Sequence, residues 1–256
     1  MKTKVKSIHN SKEVLEYWNQ DDVESMYDKN LINLEIKLIK DRLTEKSKIL
    51  DAGCGEGEGT LEYSKLPGVK IHAVDFSETR LKMAAKRLSK HNNIILKKVD
   101  FLGTYSLDKN YDTIISQRFL INLMEWKLQQ KVLLDFKSML KKDGKLLMLE
   151  GSIKGVETLN KLRKEFGLNP IPVKWHNLFF NDKILINFMK KNNFILEKED
   201  GLGEYFMLTR GLRPYFEKKL NWNSKFNKIA SSPKIKGILK LGSACSRLKL
   251  WVFRKT

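Results

Sequence analysis

Ile49-Leu50-Asp51-Ala52-Gly53-Cys54-Gly55-Glu56-Gly57-Glu58-Gly59 runs from an apolar strand signal through an acid into four glycines at alternate positions, with a helical pattern following. Glycine tolerates the backbone angles of a tight turn and lets a ligand approach main-chain atoms where a Cβ would stand in the way. Such a turn alone serves nicotinamide, flavin and other adenosine ligands alike. Working outward, a second carboxylate, Asp75, lies 24 residues beyond Asp51 at the end of the next strand pattern. A carboxylate there can accept both hydroxyls of a ribose. Val99-Asp100-Phe101 follows a third strand pattern and sets a polar and an aromatic side chain where they can bracket an adenine.

The surrounding chain alternates between two hydrophobic periods. Residues 48–51, 69–75, 94–96, 112–116 and 144–149 read as strands, as do Phe194–Leu196 and Tyr205–Leu208. Helical patterns separate them: Ser77 caps one carrying Leu81, Ala84, Ala85 and Leu88, and another carries Val132, Leu133, Phe136, Met139 and Leu140. Strands joined through helices of this length predict a doubly wound α/β domain over residues 45–210, its seven-stranded sheet mostly parallel. Residues 1–44, with Trp18, Tyr27 and periodic leucines, predict a helical cap. Residues 151–180 predict a lid containing a helix from Val156 to Phe166, and a helix capped by Asn181 or Asp182 comes next. Residues 211–256 stand apart as a basic extension.

With 256 residues, the chain is long enough for one large domain, and 41% hydrophobic content excludes general disorder. No stretch approaches the length of a membrane span, and the basic start leads into polar residues rather than an apolar signal segment. Two cysteines, Cys54 and Cys245, are too few for a disulfide framework or a four-ligand zinc site. A cytoplasmic protein with no metal is expected. The charge, 49 basic against 30 acidic side chains, is uneven: residues 211–256 hold twelve Lys/Arg and one acid, Glu217. Within that tail, Ile235, Ile238, Leu239, Leu248, Leu250, Trp251 and Phe253 interleave with cations. The mixture suits an interfacial helix on an anionic membrane, or packing on the domain or across a homodimer.

The glycine turn, Asp75, the Asp100–Phe101 pair and Lys141-Lys142-Asp143-Gly144-Lys145 together resemble the class I S-adenosylmethionine-dependent methyltransferases. The resemblance is strong over residues 45–150 and looser to 210. It implies that Gly53 and Gly55 lie against the methionyl part of the cofactor, that Asp51 orients its amino group, and that Asp75 holds the ribose. Phe76, Asp100, Phe101 and Ser116 complete the implied cofactor site. A nicotinamide enzyme is disfavoured because Glu58 replaces the third glycine of its fingerprint and the flanking acids would repel a pyrophosphate, whereas a sulfonium tolerates them. Cys54 reads as a small filler rather than a nucleophile.

No Pro-Pro follows the fourth strand, which argues against methylation of adenine N6 or of glutamine. The segments 118–126, 149–151, 159–163 and 175–177 resemble a bacterial subgroup acting on small molecules, some in surface-polysaccharide pathways. The expected reaction is O-methylation of a saccharide or an anionic metabolite bearing phosphate, phosphoramidate or uronate. His176, whose unperturbed pKa suits a base at neutral pH, and Glu150 compete as the base. Arg118, Asn160, Arg163, Trp175 and Arg210 are the candidate acceptor contacts. An RNA methyltransferase using the basic tail, and a cofactor-binding scaffold without catalysis, are the alternative functions.

Overall fold

The computed structural model describes residues 11–20, 23, 27–217 and 219–256. Seven strands form one sheet: β1 (Lys48–Ala52), β2 (Lys70–Asp75), β3 (Ile94–Lys98), β4 (Tyr111–Gln117), β5 (Leu140–Gly151), β6 (Phe194–Gly201) and β7 (Leu248–Lys255), in the order β3-β2-β1-β4-β5-β7-β6. The first five pair in parallel, and β7 runs antiparallel to both its neighbours. The strand order reverses between β1 and β4, so a crevice opens at the carboxyl ends of those strands, where open α/β sheets bind ligands.

Alternate side chains along each central strand serve opposite faces. Leu50, Ala52, Ile114, Leu146 and Met148 join one core. Ile49, Ile115, Leu147 and Leu149 join the other. Eleven helices are described: α1 (Ser11–Trp18), α2 (Lys29–Lys40), α3 (Glu58–Tyr63), α4 (Glu78–Leu88), α5 (Trp126–Met139), α6 (Ile153–Glu165), α7 (Asp182–Lys191), α8 (Gly203–Phe206), α9 (Arg213–Phe216), α10 (Lys225–Ala230) and α11 (Pro233–Leu239). On the first face α5 supplies Val132, Leu133 and Phe136, and α7 supplies Leu185 and Met189. On the second, α2 supplies Leu31, Ile32, Ile36 and Ile39, with Tyr63 and Leu159 beside them. Ser77 caps α4 by accepting from the Arg80 N–H, and Asn181 caps α7 by accepting from the Ile184 N–H. In the N-terminal segment expected as a cap, residues 1–10, 21–22 and 24–26 lie outside the described residues.

Three expectations change. Tyr205–Leu208 is not the seventh strand: it spans the end of α8 and the start of a π-helical turn, Met207–Leu212, with Tyr205 and Phe206 buried. Gly203, at the start of α8, packs so closely on the Ala244 carbonyl that a Cβ would collide with it. The seventh strand is β7, inserted between β5 and β6, so residue 210 bounds no domain and the basic extension completes the sheet. Leu248, Leu250 and Val252 fill one core while Trp251 and Phe253 fill the other, which removes them from any membrane-facing helix. Exposed apolar side chains beside lysines remain in α10 and α11, with Ile229 and Ile238 in solvent. Finally, the helix expected from Val156 spans Ile153–Glu165, capped by Ser152 accepting from the Gly155 N–H.

Lys249 is a cation inside this strand, and it is matched: Asp182 and Glu199 each approach its ammonium at 2.8 Å. Trp251 is fully buried, and truncating such a side chain costs about 3–5 kcal/mol in lost transfer energy and cavity. Trp251→Ala is therefore expected to lower the unfolding free energy by that amount in a denaturant titration. A chain stopped after Leu241 is expected to show no cooperative transition. Wild-type stability in either variant would mean that β7 is dispensable.

Candidate active site

The turn after β1 is built as the glycines require. Gly53, Gly55 and Gly57 adopt φ of 74°, 54° and 76°, the left-handed region where side chains are strained. A Cβ on Gly53 would lie 2.6 Å from the Cβ of Phe119, whereas one on Gly55 would meet nothing within 4 Å and would project into open space. The turn hangs from β2 through the Gly53 and Cys54 N–H groups, both donating to the Val74 carbonyl. Asp51, buried at its start, accepts from the Thr60 hydroxyl at 2.6 Å, and burial pushes its pKa up to about 6. Burial, with Asp75 and Asp51 beside it, holds the Cys54 thiol well above its ordinary pKa, as befits a filler.

Asp75 ends β2 with both carboxylate oxygens engaged: Oδ2 accepts from the Gly55 N–H and Oδ1 from the Ser77 N–H, each at 2.9 Å. A carboxylate oxygen accepts more than one hydrogen bond, so each retains capacity for a ribose hydroxyl. Phe76, Asp100 and Phe101 line the same cavity of about 580 Å³. Asp100 is fixed by accepting from the Leu102 N–H at 2.8 Å, and the Phe101 ring meets Tyr105 and Phe119 at 5.1 and 5.3 Å. An adenosyl sulfonium fits these residues. The Gly55 position leaves room against the main chain, Asp75 offers ribose acceptors, and Asp51 with Glu58 places negative charge near a cation.

Glu150 and Ser116, expected as a base and a cofactor contact, lie beneath the site instead. Glu150 is fully buried outside the cavity lining. Its Oε1 accepts from Ser116 Oγ at 2.5 Å, Phe119 N–H at 3.1 Å and Leu120 N–H at 2.9 Å, and its Oε2 from Ile121 N–H at 3.3 Å. Burial pushes its pKa to about 7. A side chain holding a hydroxyl and three backbone N–H groups is a clamp on the turn after β4. Its proton-accepting face is spent there.

Across the cavity His176 is 4% exposed. Its ring stacks on Tyr17 at 4.6 Å, with Trp18 and Trp175 edge-on at 5.5 and 5.2 Å. Nδ1 has no hydrogen-bond partner among the described residues. Burial, with Lys174 nearby, holds the imidazole down to about 4, so it is neutral at physiological pH. Trp175 supports this stack, but it is 43% exposed and lies outside the lining. Asn160 is also outside: its amide donates to the Ile171 carbonyl and accepts from the Ile171 N–H, pinning the lid back on α6.

The arginines do line the cavity, with partners of their own. Arg118, at φ 52°, faces the buried Glu35 at 3.2 Å. Arg210 meets Asp28 at 2.7 Å and lies 4.3 Å over the Trp222 ring, and Tyr205 donates to the other Asp28 oxygen. Arg163 donates to the carbonyls of Asn169 and Arg210. Sequence reasoning missed Tyr17, Asp28, Lys174, Arg213, Trp222 and Arg247, all in the lining. Lys174, Tyr17, Asp28 and Arg247 adjoin residues that were singled out, whereas Arg213 and Trp222 reach the cavity only through long-range folding.

The family model described as "Methyltransferase domain" matches residues 43–195. The chain is 33% identical over 88 residues to the phosphoethanolamine N-methyltransferase of Plasmodium falciparum, over 34% of this chain and 33% of that protein. It is 30% identical over 165 residues to the malonyl-[acyl-carrier protein] O-methyltransferase of Halalkalibacterium halodurans, over 62% of this chain and 58% of that one. The matches thus span less than two thirds of these relatives' own length. Among solved structures, the N-methyltransferase NodS of Bradyrhizobium japonicum, in complex with S-adenosyl-l-homocysteine, superposes with TM-score 0.57 at 12% identity, over 96% of this chain and 99% of that one. The [4+2]-cyclase SpnF superposes with TM-score 0.57 at 14% identity, over 93% and 86%. At these identities the likeness is one of fold.

Two outcomes are expected from this geometry. Asp75→Ala should weaken S-adenosylhomocysteine binding by roughly 1.5–3 kcal/mol, the value of hydrogen bonds to a charged acceptor. Unchanged affinity by calorimetry would remove Asp75 from the ribose site. Glu150→Ala leaves a cavity and unsatisfied buried donors, each costing about 1–3 kcal/mol, and should destabilise the fold by at least that amount; near-wild-type denaturant stability would show that the clamp holds nothing.

Proposed function

The chain belongs to the S-adenosylmethionine-dependent methyltransferases, and from that premise we propose that it methylates an oxygen of a small anionic molecule with His176 as general base. The observation that carries this reading is the division of charge within one cavity. Asp51, Glu56, Glu58, Asp75 and Asp100 are carried by the glycine turn and the carboxyl ends of β1, β2 and β3, with Arg80 paired to Glu56 among them, while Arg118, Arg163, Lys174, Arg210, Arg213 and Arg247 come from later segments, with Asp28 paired to Arg210. A sulfonium suits the first half and an anionic acceptor the second. The names of the two relatives each state an acceptor that carries an anionic group, phosphoethanolamine in one and malonyl in the other.

When bound, S-adenosylmethionine supplies a methyl group made electrophilic by its sulfonium. The chain's own part is to orient the acceptor oxygen for in-line attack and to take up its proton. His176 is the available group: it is neutral, it lines the cavity, and its buried Nδ1 has no hydrogen-bond partner among the described residues. Tyr17 fixes the ring by stacking and Trp18 by an edge-on contact, and together they shield it from bulk water. Glu150 acts at one remove, because the turn it clamps carries Arg118 and Phe119 into the cavity.

His176→Ala is expected to lower kcat by about 10²–10⁴-fold, the usual worth of a general base, and to leave S-adenosylhomocysteine affinity within a few-fold. A normal kcat would show that the acceptor arrives already ionised. The pH dependence has a definite sign. A depressed pKa keeps His176 unprotonated as pH falls, so the acid limb of kcat/KM set by this group should lie near pH 4 rather than at the ordinary 6.5. A limb at 6.5 that disappears in His176→Ala would contradict the burial argument.

A further inference from the structure

The cations of the acceptor half fall into two sets. Arg118, Arg210 and Arg213 each face a carboxylate, of Glu35, Asp28 and Glu217, at 3.2, 2.7 and 3.9 Å. Arg163 is spent on two carbonyl oxygens. Lys174 and Arg247 differ: among the described residues neither side chain makes an ion pair or a hydrogen bond, though both line the cavity. The contact given to the Arg247 guanidinium is the face of Phe179 at 5.5 Å.

Both positions are fixed by the backbone. The Arg247 carbonyl accepts from the Ser152 N–H at 3.0 Å, immediately before β7 enters the sheet. Lys174 opens a turn closed by the Asn177 N–H donating to its carbonyl at 3.0 Å, and this turn puts Lys174, His176 and Asn177 on one cavity. Desolvation lowers both cations below their ordinary values, Arg247 to about 10, and the charges that bear on them add to it because they are themselves positive: Arg247 and Arg118 act on Lys174, and Arg210 acts on Arg247. Like charges brought together on a concave wall without a counter-charge are unfavourable in the free protein, and a bound anion relieves the cost.

We propose that Lys174 and Arg247 anchor a phosphomonoester group of the methyl acceptor. This rests on the reading above of a methyltransferase with an anionic acceptor. Charge balance selects the group. A phosphomonoester carries about −1.5 to −2 at pH 7 with three strong acceptor oxygens, matching two cations, whereas a carboxylate would neutralise one and leave the other. The Arg247 fork can take two phosphate oxygens in parallel, and the Lys174 ammonium can meet the third as a point charge. Because Lys174 and His176 share a turn, a phosphate held by the first keeps a nearby hydroxyl of the same molecule within reach of the second. The clamp expected from Arg118, Arg163 and Arg210 is thereby reassigned: those three shape the wall, and Lys174 with Arg247 makes the contact.

The test titrates the S-adenosylhomocysteine-loaded protein with glycerol 3-phosphate, with dihexanoyl phosphatidic acid, and with acetate, by calorimetry. At least one phosphomonoester is expected to bind, and Lys174→Met and Arg247→Met are each expected to weaken it by about tenfold or more, with Arg247→Lys falling between. Preference for the soluble ester marks a free phosphorylated metabolite, and preference for the lipid marks a headgroup; either supports the anchor. Failure of both to bind, equal binding of acetate, or unchanged affinity in Lys174→Met would overturn it. Lys174 sits at the exposed rim, so this variant remains informative if Arg247→Met does not fold. S-adenosylhomocysteine affinity is measured first and stands alone: its absence would sink the methyltransferase reading, whereas its presence without phosphate binding sinks the anchor only.

Discussion

A buried carboxylate at the end of a central strand organises this site without entering it. Glu150 gathers the Ser116 hydroxyl and three successive N–H groups of residues 119–121, donors that would otherwise be left unsatisfied in the interior. Fixing that turn fixes Phe119, which presses against Gly53 so closely that no side chain fits there. Gly53 and Gly55 in turn set the glycine loop, and Gly55 donates to Asp75. Asp75, the glycine turn and the wall that carries Arg118 are thus connected through one charge-assisted hydrogen-bond cluster. Removing it would disturb three parts of the cavity that are distant in sequence.

The cavity's electrostatics follow from which charges are neutralised inside the protein. Glu56 on the glycine side is paired to Arg80, itself buried and bonded to backbone carbonyls of the N-terminal segment. Arg210 is matched by Asp28, which also receives the Tyr205 hydroxyl and caps α2 through the Leu31 N–H. These pairs cement the walls. Among the described residues, Asp51 and Asp75 on one side and Lys174 and Arg247 on the other make no ion pair, and the proposed placement of a sulfonium and an anionic acceptor follows from them. The superposition with SpnF, named as a cyclase, shows how far one backbone can serve different chemistries, so these side chains and not the sheet decide the reaction.

The glycine turn, Asp75, Phe76, Asp100 and Phe101 were legible because local spacing after parallel strands determines where such residues stand. Ser116 and Glu150 also follow strands, but a strand-end side chain can point into the crevice or beneath it, and only the three-dimensional path of residues 118–121 decides. Asn160 shows the same ambiguity on a helix. β7 was illegible for another reason: both of its faces are buried, so its sequence lacks the polar alternation that marks a strand with one wet side. With aromatic residues at 251 and 253 and cations at 247, 249, 254 and 255, it looked like an amphipathic surface segment. Arg247 was hidden with it, and so was half of the cation pair.

The place of β7 also dictates an order of assembly. β6 joins the sheet through β7 alone, and β5 finds its outer neighbour there too. Until residues 248–255 leave the ribosome, the five parallel strands can pair but the edge of β5 stays open, and β6 with α7 has no sheet to dock on. An unpaired strand edge beside exposed apolar side chains is a template for association with other chains. The segment that closes the sheet is thus the one that carries Arg247 to the cavity, so the integrity of that edge and the charge of that wall depend on the same residues.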